Sequence, residues 1–333
     1  MATKLPTGTN LSVHAGGSVR PSKLRRMTSM AVAAAVLACA GSVGSALGAD
    51  APPTTPDPYA FHIGRFDAFA LQDAADAMLN DAKVFGVDVG APAVAGVLRA
   101  AGAPTDKIAL SVDALLVKAP GRVMLFDTGL GPKAHGALMA GLAKIGVAPD
   151  DVTDVFITHS HGDHVGGLLT ADGQPAFPKA DIHIAALEWR WMQEQKDSKA
   201  TVAAISSRTH PFQPGVEVAP GVTSVALLGH TPGHVGYEIA SDGQKLLDIG
   251  DLAHSSIVSL AKPEWRVAFD DAPADAIAVR KATLAQLADS HTRVFAPHFP
   301  FPGVGYVSRK PPGFAWTGER RPAAAAARRQ PAK

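Results

Sequence analysis

The segment Thr158-His159-Ser160-His161-Gly162-Asp163-His164 places four potential metal ligands within six residues. The i, i+2 spacing of His159 and His161 can point both imidazoles to one side of an extended segment. Gly162 permits a tight turn, after which Asp163 and His164 can face a second ion close by. Imidazole and carboxylate donors together suit zinc, and also manganese, cobalt or iron. The bland alternative is a histidine-bearing surface loop. The strand-like run over residues 154–158, which feeds directly into the cluster, argues against it.

Other short β-like runs end in the same way. Residues 122–127 lead into Thr128-Gly129 and 154–158 into the histidine cluster. Residues 223–228 lead into Gly229-His230, 245–249 into Gly250-Asp251, and 293–296 into Pro297-His298. Helix-like stretches lie between them, over 134–145, 187–195 and 272–288. Alternating strands and helices indicate an α/β domain. Ligand-type residues recur just past strand ends, where loops can converge on one sheet edge. His230, Asp251 and His298 are each weak signals alone, since a lone histidine is more often structural. Added to the cluster, they bring the donors to seven.

The chain has 333 residues, enough for one large domain or two small ones. Residues 1–49 read as a secretory signal: Lys23, Arg25 and Arg26 precede an apolar run over 30–40, and small residues follow up to Ala49. Residues 50–60 read as a flexible leader, 61–317 as the folded domain and 318–333 as a disordered tail rich in Ala, Pro and Arg. The expected location is therefore periplasmic or secreted, with lipid attachment at Cys39 as an alternative. Five of the 31 basic residues and none of the 30 acidic ones fall within 1–49, which leaves 26 against 30, a net charge of −4. That balance argues against a nucleic-acid substrate. Cys39 is the only cysteine, so the chain beyond residue 49 has no thiol ligand. No apolar run in the body of the chain reaches the length of a bilayer span.

The H-x-H-x-D-H pattern of residues 159–164 resembles the signature of the metallo-β-lactamase superfamily. Asp127-Thr-Gly, His230 in G-H-T-P-G-H, Asp251 in G-D and His298 follow in the order of that family's motifs. The resemblance runs over about residues 60–316 and implies an αββα sandwich. It also implies a ligand assignment. His159, His161 and His230 would hold one ion, and Asp163, His164 and His298 a second. Asp251 would bridge the two. Asp127 and His234 would orient ligand histidines by hydrogen bonds, and His254 would stand beside the ligands. Two divalent ions, zinc first, are the cofactors implied.

Hydrolysis is the reaction implied, with hydroxide generated at the ions attacking an ester, lactone or phosphoester and Asp163 also steering protons. The substrate is expected to be a small molecule. The oligomeric state is open, a homodimer being one option. Among branches of the family, the absence of a thiol ligand and the presence of Asp251 point away from β-lactamases, and His161 points away from the flavo-diiron oxidoreductases. Quorum-quenching lactonases carry Tyr where His254 stands. The segments 158–168, 229–236, 250–254 and 296–306 most resemble the methyl-parathion-hydrolase-like branch. Trp189, Trp191, Phe299, Phe301 and His254 are candidates for an aromatic substrate wall. The alternatives are a β-lactamase of the same fold and a periplasmic metal-binding protein without catalysis.

Overall fold

Strand-forming sequence dominates the chain and sorts into two sheets of seven strands. The computed structural model describes residues 56–319. The first sheet contains, in spatial order, β1 (Tyr59–Ile63), β2 (Phe66–Leu79), β3 (Lys107–Ala119), β4 (Arg122–Phe126), β5 (Asp154–Ile157), β6 (Asp181–Ala185) and β7 (Thr209–Phe212). The second contains β8 (Glu217–Ala219), β9 (Val222–Ala226), β10 (Val235–Ser241), β11 (Gln244–Asp248), β12 (Arg293–Phe295), β13 (Val304–Lys310) and β14 (Gly313–Gly318), also in spatial order. β4 to β7 run parallel, as do β11 and β12, and the remaining pairs are antiparallel. The helices are α1 (Ala91–Ala100), α2 (Leu138–Lys144), α3 (Gly162–Val165), α4 (Ala186–Glu194), α5 (Lys199–Ile205), α6 (Val258–Ala261) and α7 (Pro273–Ser290).

Period-two alternation divides each central strand between two cores. Met124 and Phe126 of β4, with Phe156 of β5, face the second sheet and pack with Tyr237, Leu246, Phe295 and Val304. Leu125, Val155 and Ile157 face outward, against Leu138 and Leu142 of α2 and Met192 of α4. On the far side, Leu284 and Leu287 of α7 cover Leu247 and Val294 of the second sheet. The layers are therefore helix, sheet, sheet and helix, which is the αββα sandwich expected. Phe156 lies stacked between Phe126 at 4.9 Å and His183 at 4.6 Å. Removing such a buried ring costs about 3–5 kcal/mol.

Three expected boundaries move. β1 begins at Tyr59, inside the expected leader, because its ring is buried and its hydroxyl donates to Glu319 at 3.0 Å. β14 and the next residue run into the expected tail, where Glu319 takes two charge-assisted bonds from Arg293 at 2.8 and 2.6 Å. The expected helix over 134–145 is only α2, preceded by a turn. His135 has a left-handed φ of 59° and the Gly136 N–H bonds back to the Gly131 carbonyl at 2.9 Å. The expected secretory signal with Cys39, residues 50–55 of the leader and residues 320–333 of the tail lie outside the described residues. Among the described residues no helix is long and apolar enough to cross a membrane.

Candidate metal centre

The donors sit where strands end. Asp127 follows β4, the histidine cluster follows β5, Asp251 follows β11 and His298 follows β12, so parallel neighbours deliver them to the same sheet edges. His230 lies in the loop between β9 and β10. Asp127 adopts a left-handed φ of 56° and turns its carboxylate onto the next loop. It accepts the Thr158 N–H and hydroxyl, each at 2.8 Å, and lies 2.7 Å from His164 Nδ1. Thr128 returns two bonds to the His164 carbonyl, both at 2.8 Å. Gly166 and Gly167 make this closeness possible: a Cβ on them would come within 2.2 Å of the Leu130 carbonyl oxygen and 2.1 Å of the Thr128 one.

Two donor groups result, His159/His161/His230/Asp251 and Asp163/His164/His298. In the first, His159 Nε2, His161 Nδ1 and His230 Nε2 stand 3.0, 3.0 and 3.2 Å apart. Asp251 Oδ2 adds edges of 3.2 Å to His230 and 3.6 Å to His159. A tetrahedral zinc with bonds of about 2.0–2.1 Å requires ligand separations of about 3.3 Å. In the second group, Asp251 Oδ1 lies 3.1 Å from His164 Nε2 and 3.0 Å from His298 Nε2. Asp163 Oδ2 lies 3.7 and 3.6 Å from the same two nitrogens. His164 Nε2, His298 Nε2 and Asp251 Oδ1 are buried without a hydrogen-bond partner. Buried polar atoms are normally satisfied, so three such atoms converging on one point fit a cation as their common partner.

The ring nitrogens turned away from the groups are held. His159 Nδ1 is 3.1 Å from the Thr158 hydroxyl, His230 Nδ1 is 3.1 Å from Asp270, and His298 Nδ1 donates to the Ser111 carbonyl at 2.7 Å. Such bonds fix the tautomer and aim of a ligand imidazole. The donors also act on one another through charge. Burial opposes protonation of His298 and His164, yet carboxylates, Asp251 foremost, outweigh it; His298 is pushed up to about 9 and His164 well above its usual range. Burial and the neighbouring His230 push His161 down to about 3. Burial works against the Asp251 carboxylate, but His298 and His164 hold it well below the usual carboxylate range.

The structure brings the seven expected donors together, with Asp127 against them. His234 donates from Nδ1 to the Leu227 carbonyl at 2.8 Å and accepts the Asp251 N–H at 3.0 Å. His254 comes closer than expected: its Nε2 is 3.1 Å from Asp251 Oδ2, its ring stacks on His298, and both its nitrogens lack hydrogen-bond partners. Trp191 meets His161 edge-on at 5.9 Å, whereas Trp189 is buried in the core under α4. Phe299 and Phe301 do not form a substrate wall. Phe299 is fully buried, edge-on to Trp316, and Phe301 packs into the core between the sheets. The turn closed by the Phe299 N–H on the Ala296 carbonyl carries the chain into the protein.

Other residues of the centre were not visible in the motifs. Glu188 of α4 is fully buried and accepts bonds from the Ser160 N–H and hydroxyl, the Thr231 hydroxyl and the Gly233 N–H. Asp270 and Arg280 stand behind His230, and Ser111 behind His298. The one available signal was a carboxylate on the side of α4 that also carries Trp189 and Met192.

Residues 108–298 match the model of the metallo-beta-lactamase superfamily. Metallo-beta-lactamase domain-containing protein 1 of Mus musculus is 60% identical over 62 residues, which is 19% of this chain and 21% of that protein. Ribonuclease Z of Crocosphaera subtropica is 31% identical over 156 residues, covering 42% of this chain and 45% of that protein. The matches thus span about a fifth to under a half of these curated relatives. Among solved structures, the dizinc quorum-quenching lactonase AidC superimposes with a TM-score of 0.75 at 27% identity, over 79% of this chain and 98% of AidC. The hydrolase AbOPH superimposes with a TM-score of 0.73 at 25% identity, over 80% of this chain and 99% of AbOPH. The αββα sandwich, the seven converging donors and a family match over the segment that carries them lead to one conclusion: this chain belongs to the metallo-beta-lactamase superfamily.

Proposed function

We propose that this protein is an exported dinuclear metal-dependent hydrolase acting on a small ester, lactone or phosphoester. The observation that carries the reading is Asp251, whose two oxygens face different donor groups: Oδ2 the His159/His161/His230 group and Oδ1 the His164/His298 pair. A carboxylate so placed would span two ions, zinc first by its donor set. When bound, the ions would lower the pKa of a shared water and polarise the carbonyl or phosphoryl oxygen under attack.

The chain's own residues supply position and surroundings. Asp163 keeps 30% of its side chain exposed, against 1% for His164 and 4% for Asp251, so it and the half-buried His161 are the donors open to an approaching substrate. His254, 2% exposed, lies with its Nε2 3.1 Å from Asp251 Oδ2 and is placed to brace that carboxylate. Trp191 presents an apolar edge beside His161. The lactonase among the solved neighbours supports a lactone or ester substrate, and AbOPH supports hydrolysis; the methyl-parathion-hydrolase-like branch rests on the segments 158–168, 229–236, 250–254 and 296–306. Export rests on the order of basic, apolar and small residues in 1–49.

The test is metal analysis of protein purified without chelator, joined to a panel of p-nitrophenyl esters, lactones and phosphotriesters. Two equivalents of metal per chain and turnover abolished by Asp163→Ala are expected. Undiminished turnover in that variant would overturn the mechanism. Fractionation of the full-length chain tests export, which requires it outside the cytoplasm.

A further inference from the structure

Behind the donor groups lies a buried cation. Arg280 of α7 is 1% exposed, and its guanidinium is divided among three directions. Nη2 donates to Asp270 Oδ2 at 2.7 Å. Nε donates to the Leu252 carbonyl at 2.8 Å. Nη1 donates to the carbonyls of Pro263 at 3.2 Å and Trp265 at 3.4 Å. The other oxygen of Asp270 is 3.1 Å from His230 Nδ1, and Leu252 directly follows Asp251.

We propose that Arg280 is a positioning residue that fixes one histidine of the first donor group and the shared Asp251 at the same time. The inference rests on the two-metal reading of the site. Through Asp270 it sets the tautomer and direction of His230. Through Leu252 it pins the short turn Gly250–Leu252, which is also held by the Gly250 N–H on Asp248 Oδ1, the Leu252 N–H on the Ile249 carbonyl and the Asp251 N–H on His234. A buried guanidinium is held only where its donors are answered. Here every nitrogen has an acceptor, and two of those acceptors lead to metal ligands. The planar fork matters, because lysine cannot serve three fixed directions from one ammonium.

The two routes give different signatures. Among the donors Asp270 touches His230, and Asp270→Asn still leaves Arg280 an acceptor and its bond to Leu252, so this change should weaken the first ion alone. Arg280 leads also to Asp251, which both ions share, so its loss should weaken both. Stripped wild-type, Asp270→Asn, Arg280→Lys and Arg280→Met proteins are titrated with Zn2+ against a competing chromophoric chelator, well below each unfolding midpoint. Circular dichroism checks that each is folded. The wild type is expected to take up two ions. Asp270→Asn should lose about 10–100-fold in affinity at one ion and keep the other. Arg280→Met should lose affinity at both, with Arg280→Lys intermediate at both. Should Arg280→Met fail to fold, Arg280→Lys carries the comparison. Affinities unchanged in the arginine variants, with only a lower midpoint, would reduce Arg280 to packing and overturn the proposal. Loss at one ion alone would confine it to the Asp270 route and overturn it equally. A wild type taking up fewer than two ions overturns the underlying reading before any variant is compared, and this inference with it.

Discussion

Glu188 ties itself to Ser160 twice through one oxygen, taking the Ser160 N–H at 2.8 Å and its hydroxyl at 2.6 Å. The second oxygen takes the Thr231 hydroxyl at 2.7 Å and the Gly233 N–H at 3.0 Å. One buried carboxylate thus clips the loop of His159 and His161 to the loop of His230. Glu188→Gln keeps the shape but sets an amide N–H2 against two of those donors. The expected cost is about 1–3 kcal/mol, read as a lower urea midpoint, together with reduced metal content. An unchanged midpoint would show that the loops hold without the carboxylate.

Chelation should destabilise the protein measurably. Ions bound at about 100 times their dissociation constant add about 2.7 kcal/mol per site. Stripping one such site should therefore lower the melting temperature by about 5–10 °C in a domain of this size. Zn2+ added back should restore it. A melting temperature indifferent to chelator and zinc would remove the metal from the folded state.

A pH effect is expected far from the donors. Burial alone would raise Asp154, but bonds from His183, Thr153 and Arg122, the last at 2.6 Å, outweigh it and hold the carboxyl below its usual value. A depressed folded pKa stabilises above the unfolded value and loses that contribution as pH falls through the folded one. Wild type should exceed Asp154→Asn in stability at pH 6, and the gap should close as the pH drops below about 4. Denaturant titrations at several pH values check it. A gap that stays constant with pH would assign the difference to packing.

The close approach of the Asp127 and His164 loops predicts a sharp contrast between two alanines. At Gly167 a Cβ would meet the Thr128 carbonyl oxygen at 2.1 Å, whereas at Gly96 in α1 it meets nothing within 4 Å. Gly167→Ala should destabilise by about 1–3 kcal/mol. Gly96→Ala should stabilise by about 0.5–1 kcal/mol through helix propensity. Thermal midpoints of the pair decide it.

The candidate donors were legible because each is a chemically distinctive side chain placed just after a β-like run. The fold was legible for the same reason, since period two and turn residues mark the strands that matter. The supports were not. Ser111 reaches His298 across 187 positions and uses only its backbone carbonyl, which no sequence pattern can reveal. Asp270, just before α7, and Arg280, within it, look like ordinary charges until the fold buries them. Phe299 and Phe301 misled because adjacency to a ligand says nothing about direction, and a tight turn after Ala296 sends them inward.

The division of the donors between two sheets bears on how the protein is made. His159, His161, Asp163 and His164 follow a strand of the first sheet, while His230, Asp251 and His298 belong to loops of the second. A ribosome that has just delivered His164 must add 134 more residues before His298 exists. For that interval the nascent chain carries an incomplete set of candidate donors. On the two-metal reading proposed above, Asp251 would complete the centre only when the second half docks. The compartment in which folding finishes would then govern which divalent ion is trapped as much as intrinsic affinity does.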